Sequence, residues 1–328
     1  RASTAFDVDP VPGRRAPKAA AILWMSGQEV KSTVDLIEQA STTPLSPRVH
    51  RVASGLPERY RIQREISEGG AAHVFLAEDV ERNQLVAIKI LRAEVATSAG
   101  ERRFNREIEI IRGLKHPNIV PLLEYGTVAG RVYFTTPYIE GDTLRARIKR
   151  ESELPLSDAL SIASDVAAAL DYAHTRGIIH RDIKPANILL AAHGAIVADF
   201  GIARAISVNL GEVITGSGVS VGTPEYMSPE QCGAMRELDA RCDVYALGCL
   251  VYEMLAGEPP FTGPSEQAVI ARHFSEPPRS IRVIRPSVPR GVDHAILKAL
   301  SKIRAHRYYS AGEFFDALDS GVRAANRG

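Results

Sequence analysis

The chain changes character at Gly141. Before it, apolar residues come in short runs rich in β-branched and aromatic types. After it, they recur at helical spacing. The runs "YRIQREI", "HVFLAED" and "LVAIKIL" are separated by glycine or polar turns, which predicts an antiparallel meander. "SAGERRFNREIEIIRGL" then sets Phe104, Ile108 and Ile111 on one helical face and stops at Gly113. "IVPLLEYG" and "RVYFTTPYI" supply two further strands. Beyond Gly141, Ser157 is the expected N-cap of "DALSIASDVAAALDYAHTRG", with Ile162, Val166, Leu170 and Ala173 along one stripe and Gly177 at the stop. "DVYALGCLVYEMLAG" is apolar nearly all round and predicts a buried central helix. Five strands and one helix, followed by a helical half, give an α+β class with two lobes. These lobes meet at a cleft, with the hinge near Pro137–Asp142.

A chain of 328 residues is long enough for such a pair of lobes. Its 40 Lys and Arg against 39 Asp and Glu give a net charge of +1, so neither nucleic acid nor an anionic membrane is expected as a partner. Cys232, Cys242 and Cys249 form no CxxC pair, which argues against structural zinc or a disulfide framework and fits a reducing cytoplasm. No apolar run approaches the roughly 20 residues that span a bilayer. No membrane contact is expected within this chain, and an anchor beyond Gly328 stays open. Residues 1–56 differ from the rest, being rich in Pro, Ala, Ser and Arg, with "GQEVKSTVDLIEQA" as one short helical candidate. "AAAILWM" is too short and lacks the cleavage pattern of a signal peptide. This stretch reads as a mostly disordered leader, and Met25 is an alternative start that would make residues 1–24 an artefact of the reading frame.

Phosphoryl transfer needs a cradle for a triphosphate, hard ligands for metal, and a base beside an acceptor hydroxyl. "ISEGGAAHV" puts Gly69, Gly70, Ala71 and Ala72 between two strands, where a backbone could approach phosphates; a plain β-turn has the same composition. Lys89 in "VAIK" stands inside an apolar β run and calls for a partner such as Glu107, although a snorkelling edge lysine would look alike. "HRDIKPAN" crowds Arg181, Asp182, Lys184 and Asn187 into one loop, and Asp199 of "ADFGIAR" follows seventeen residues after Asp182. Asp199 and Asn187 offer oxygen ligands suited to Mg²⁺. Asp182 can accept a proton from an alcohol, and Lys184 can neutralise a transferring phosphoryl group.

In order, "ISEGGAAHV", "VAIK", Glu107 in "FNREIEII", "HRDIKPAN", "DFG", "GTPEYMSPE" and "DVYALG" resemble the motif set of a bacterial eukaryotic-like serine/threonine protein kinase, from about Tyr60 to Leu318. The resemblance implies an N-lobe over 57–136, a hinge over 137–142 and a C-lobe over 143–328. It implies ATP and Mg²⁺ (or Mn²⁺) as cofactors. Lys89 would hold the α- and β-phosphates and pair with Glu107. Ile66, Ser67, Gly69, Gly70, Ala72 and Val74 would cover the nucleotide, and Ala87 and Leu189 would sandwich its ring. The Pro137 carbonyl and Ile139 N–H would meet the adenine edge, with Thr136 as gatekeeper, and Asn187 and Asp199 would hold metal. His180 would pack beneath Phe200, and Arg307 of "AHRYYS" would pair with Glu230. Ser67 and Ala72 replace the family's first and third loop glycines, which implies a stiffer loop and slower nucleotide handling. Lys184 and Thr223, the latter expected to bond Asp182 and Lys184, resemble the serine/threonine-directed pattern. Protein substrates and a transient kinase–kinase dimer are the implied partners. Arg181 beside Asp182 implies self-activation by phosphorylation of Thr215, Ser217 or Ser220, since a phosphate there would bond its guanidinium. The alternative is a catalytically weak pseudokinase serving as a nucleotide-binding or scaffolding module; Lys89, Asp182 and Asp199, whose loss would mark one, are all present.

Overall fold

The β-rich runs pair as one sheet in the computed structural model, which describes residues 55–68, 72–94, 106, 108–128, 130–200, 223–235 and 237–327. All of them lie in the second of two compact units, Leu45–Gly328. Strands β1 (Tyr60–Glu68), β2 (Ala72–Asp79) and β3 (Gln84–Glu94) form the expected meander. β5 (Arg131–Pro137) then inserts between β3 and β4 (Glu124–Val128), giving the antiparallel order β1-β2-β3-β5-β4. The strand expected from "IVPLLEYG" starts five residues later than its first residue. Pro121 cannot donate to a ladder, and Ile119 instead makes an isolated bridge to Val197.

The two faces of this sheet bury separate clusters. Leu56, Tyr60, Phe75, Val86, Ile88 and Tyr133 pack on one side. Phe134, Val132 and Leu122 pack on the other, against Ile108 and Ile111 of the expected helix. That helix is described over 108–112 and yields to Gly113, as expected; Glu107 and Phe104 lie outside the described residues.

The second half is not purely helical. β6 (Asp142–Thr143), β7 (Ile188–Ala191) and β8 (Gly194–Val197) make a small antiparallel sheet that carries the chemistry-bearing loop between its strands. Gly141 enters it with φ of 149°, and a Cβ there would stand 2.2 Å from the Leu190 carbonyl oxygen. No other residue passes so close to β7 without displacing it.

Helices α1 (Leu144–Glu151) and α2 (Leu156–His174) follow in the C-terminal half, then α3 (Pro229–Cys232), α4 (Arg241–Ala256), α5 (Glu266–Ser275), α6 (Arg290–Ala299) and α7 (Ala311–Ala325). Ser157 is not the cap of α2. Pro155 takes that position without a side-chain bond, and the Ser157 hydroxyl donates to Asp158 inside the first turn. Proline suits a helix entry because it brings no N–H to satisfy, and Asp158 supplies the negative charge favoured there. The stripe Ile162, Val166, Leu170 and Ala173 is buried as expected. α4 is the axis of the lobe: every residue from Cys242 to Leu255 is buried. Among the described residues no helix is long and apolar enough to cross a membrane, and the three cysteines are free thiols. The leader over 1–56 lies outside the described residues except for its last two positions, Gly55 and Leu56.

Candidate active site

Strand register assembles the upper wall of the site. Val74 stands opposite Lys89, Lys89 opposite Phe134, and Ala87 opposite Thr136, so all five share one face of the sheet. Val74, Ala87, Lys89 and Thr136 are each half-buried, whereas Phe75, Ile88 and Thr135 on the opposite face are buried. That alternation marks an open cleft beneath the sheet. Ala72 is buried and Ile66 is 38% exposed. Ser67 is in register with Val74, while Gly69 and Gly70 lie outside the described residues. At the back edge the Tyr138 N–H donates to the Leu85 carbonyl at 3.0 Å and draws the hinge against β3. From below, Leu189 of β7 is half-buried, opposite Thr143 and Ile196.

Lys89 crosses the cleft. Its ammonium lies 2.5 Å from Asp199 Oδ2. Burial opposes ionisation of Asp199, but the Lys89 charge and hydrogen bond hold its carboxyl below the usual carboxylate range. The expected partner Glu107 lies outside the described residues, as do Gly201 and the stretch holding Thr215, Ser217 and Ser220.

The loop 180–187 is built around two acids with different tasks. Asp182 Oδ2 faces the Lys184 ammonium at 2.8 Å and accepts from Asn187 Nδ2 at 3.1 Å. Asn187 Nδ2 also donates to the Asp182 carbonyl at 2.8 Å, so its amide is held by the nitrogen and its Oδ1 is left as the ligating end. Thr223 makes no side-chain hydrogen bond to Asp182 or Lys184 among the described residues, contrary to expectation; Asp182 Oδ2 is instead met by Lys184 and Asn187. His180 is no base. Its Nδ1 accepts from the Asp182 N–H at 3.2 Å and its Nε2 donates to the Ala198 carbonyl at 2.9 Å, which fixes one neutral tautomer. Its ring meets Phe200 edge-on at 4.6 Å, as expected.

Asp243 was missed by the sequence reasoning. It is fully buried at the start of α4, where Oδ1 accepts from the Arg181 N–H and Oδ2 from the His180 N–H, both at 2.8 Å. His174 Nε2 adds a third contact at 2.8 Å. Burial opposes its charge, but the His174 hydrogen bond and the Arg181 N–H hold its carboxyl below the ordinary range. These bonds brace Arg181 at φ of 69°, a conformation that a non-glycine residue adopts only under constraint. An acid in the first turn of an otherwise mostly apolar, buried helix was the signal. Gln231 Nε2 donates to the Arg181 carbonyl at 2.7 Å and ties α3 to the same loop. Arg307 grips Glu230 as expected, through two bonds of 2.6 and 2.8 Å.

Asp199 and Asn187 fit a hard divalent cation by donor type. They supply only two side chains, and among the described residues no cluster of three or more His, Cys, Asp or Glu could hold an ion unaided. Phosphate oxygens would have to complete such a site.

Residues 60–304 match the protein kinase domain family. The chain is 40% identical over 266 residues to the serine/threonine-protein kinase PknB of Mycobacterium tuberculosis, covering 79% of this chain and 42% of that protein. It is 40% identical over 264 residues to PknB of Mycobacterium leprae, with the same coverage. A Lactococcus lactis protein named "Probable serine/threonine-protein kinase PknB" is 35% identical over 274 residues, 83% of this chain and 43% of its own length. The chain therefore spans about two fifths of the length of these curated relatives.

Proposed function

The chain belongs to the protein kinase domain family, and on that premise we propose that it transfers the γ-phosphate of ATP to serine or threonine hydroxyls of proteins. The observation that carries the reading is the pairing of Asp182 with Lys184 and Asn187 on one carboxylate oxygen. The other oxygen is left to accept a proton from an acceptor hydroxyl. As that hydroxyl oxygen bonds to phosphorus, the bond from the γ-phosphorus to the bridging oxygen breaks and ADP departs, while the proton passes to Asp182. Lys184, beside Asp182, would offset charge on the transferring group. Lys89 would hold phosphate oxygens, and Ala87, Val74, Thr136 and Leu189 would border the base and ribose. Ile66, Ser67, Gly69, Gly70 and Ala72 would cover the nucleotide, with the Pro137 carbonyl and Ile139 N–H at the adenine edge. Asn187 and Asp199 would hold Mg²⁺ or Mn²⁺. When bound, the ion supplies positive charge to the phosphate oxygens. Glu107 would share Lys89 with Asp199 once phosphates compete for the ammonium. Self-activation through Thr215 or Ser217 belongs to the same proposal.

The test is transfer of radiolabel from ATP to a protein acceptor with Mg²⁺ or Mn²⁺ present, comparing the parent with Asp182→Asn. Labelled phosphoserine or phosphothreonine from the parent and near-background label from the variant are expected. Equal labelling by both would overturn the assignment of Asp182.

A further inference from the structure

Strand β1 does not lie evenly on β2. Its register slips twice, between Ile62 and Arg64 and again between Glu65 and Ser67, leaving Gln63 and Ile66 as extra residues. The second slip bears on the site. Glu65 stands opposite Phe75 on the outer face of the sheet, whereas Ile66 and Ser67 together face one residue, Val74, which borders the cleft. Side chains alternate along a strand, so a slip of one place would carry Glu65 to the cleft face and Ile66 out of it. With both irregularities inside a strand of 9 residues, the ladder itself is a weak guide to register.

A polar clasp on the outer face holds the segment between the two slips. His73 Nδ1 donates to Glu65 Oε1 at 2.9 Å. The pair are diagonal neighbours across β1 and β2, since Glu65 is opposite Phe75 and His73 lies on the same face of β2. His73 is 4% exposed. Its ring stacks on Phe75 with centroids 6.2 Å apart, and it stands opposite the buried Ile90 of β3. The imidazole is thus anchored on the core, and Glu65, with its side chain 29% exposed, is the end that can move. A buried polar ring needs hydrogen-bond partners, and this bond forms only while Glu65 is on the outer face. The chemistry above uses neither residue.

We propose that His73 and Glu65 are positioning residues for nucleotide binding: their bond on the outer face fixes the register of β1 between its two bulges, and so keeps Ile66 and the start of the following loop over the ATP site. The inference rests on the protein kinase reading and adds to it a latch outside the cleft. A slipped strand would also turn the Glu65 carboxylate toward the phosphates, where like charge opposes binding.

Steady-state kinetics and deuterium uptake test it together. His73→Phe keeps a ring on Phe75 and removes the bond; Glu65→Leu removes it from the other side. Each should raise the KM for ATP about three- to tenfold, the order of one net hydrogen bond, with kcat at saturating ATP and the KM for a peptide acceptor within twofold of the parent. Glu65→Gln keeps an acceptor oxygen and should keep the parental KM. The double variant His73→Phe with Glu65→Leu should be no worse than either single one, because both remove the same contact. Without nucleotide, uptake over residues 62–68 should rise in His73→Phe and stay parental in Glu65→Gln. A merely structural role would lower the thermal midpoint and kcat together without singling out ATP, and that pattern overturns the proposal. So does a folded His73→Phe variant whose KM for ATP and uptake both stay within twofold of the parent, or a double variant in which the two effects add. Binding of a fluorescent ATP analogue separates this from the kinase reading. A parent that binds the analogue but transfers no phosphate overturns the kinase reading; threefold or weaker binding by His73→Phe still supports the latch, and equal binding overturns it.

Discussion

The division of labour between two aspartates, one in the loop and one beneath it, carries the sharpest residue-scale consequences. Asp182→Asn keeps the shape and the Asn187 contact but cannot take a proton, so turnover should drop by roughly 10²–10⁴-fold, while the thermal midpoint stays near that of the parent. Lys89→Met should reduce turnover comparably, with the larger effect on the KM for ATP; unchanged steady-state kinetics would remove Lys89 from the site. Asp243→Asn should behave differently. One amide oxygen cannot accept from both the His180 and Arg181 N–H groups as the carboxylate does, and an orphaned buried donor costs about 1–3 kcal/mol. Both stability and kcat should fall, with little change in the KM for ATP. The sign of the pH dependence follows from the depressed carboxyls of Asp243 and Asp199. Their contribution is complete above the unfolded aspartate range near pH ~3.9. It is lost as pH falls through their lower folded values. Urea midpoints measured from pH 7 down to pH 3 should therefore decline toward acid, and less steeply in Asp243→Asn. Asp182 and Lys184 were legible because their spacing is dense and local. Asp243 was not, because its partners lie more than sixty residues away and meet it only through the packing of α4 under the loop.

Elements were legible where one face is apolar and the chemistry is local. The three-strand meander, the α2 stripe and the buried axis α4 follow from periodicity alone. β6, β7 and β8 did not. Each is two to four residues long, below the length at which alternation can be recognised, and each exists because the loop 180–187 must be held from both sides. The entry to this sheet carries a prediction. Gly141→Ala forces a methyl group into contact with the Leu190 carbonyl at a backbone angle that L residues rarely adopt. The strain should push β6 off β7, displacing Leu189 and the hinge together. A rise in the KM for ATP accompanied by a lower thermal midpoint is expected; a variant matching the parent in both would show that the hinge absorbs the change elsewhere. Glu230→Gln tests a different joint. It removes the carboxylate from a fully buried Arg307, and breaking a pair of this kind costs about 3–5 kcal/mol, so loss of stability should exceed any loss of nucleotide affinity.

At the scale of the whole molecule, the bilobal class was legible from the change of period at Gly141, but the junction between the lobes was not. It depends on Lys89 meeting Asp199 across 110 positions of sequence, a contact no local pattern encodes. The other end of the β lobe raises the question of where the packed unit starts. Leu56 is 8% exposed and joins Tyr60, Phe75 and Tyr133 in the outer cluster of the sheet. Tyr60 in turn bonds Glu124 of the edge strand at 3.1 Å. We propose that Leu56 is the first residue the kinase unit needs and that residues before Gly55 are dispensable for folding and turnover. A chain of residues 55–328 should then melt with the full chain and match its kcat. Removing Leu56 as well, in a chain of residues 58–328, uncovers the cluster. Burial of a leucine side chain is worth about 1.5–3 kcal/mol, so that chain should melt several degrees lower yet retain its KM for ATP, since the cluster faces away from the cleft. Calorimetry on the three chains decides the boundary. Equal melting of the two shortened chains places it after Leu56, and aggregation of residues 55–328 places it earlier.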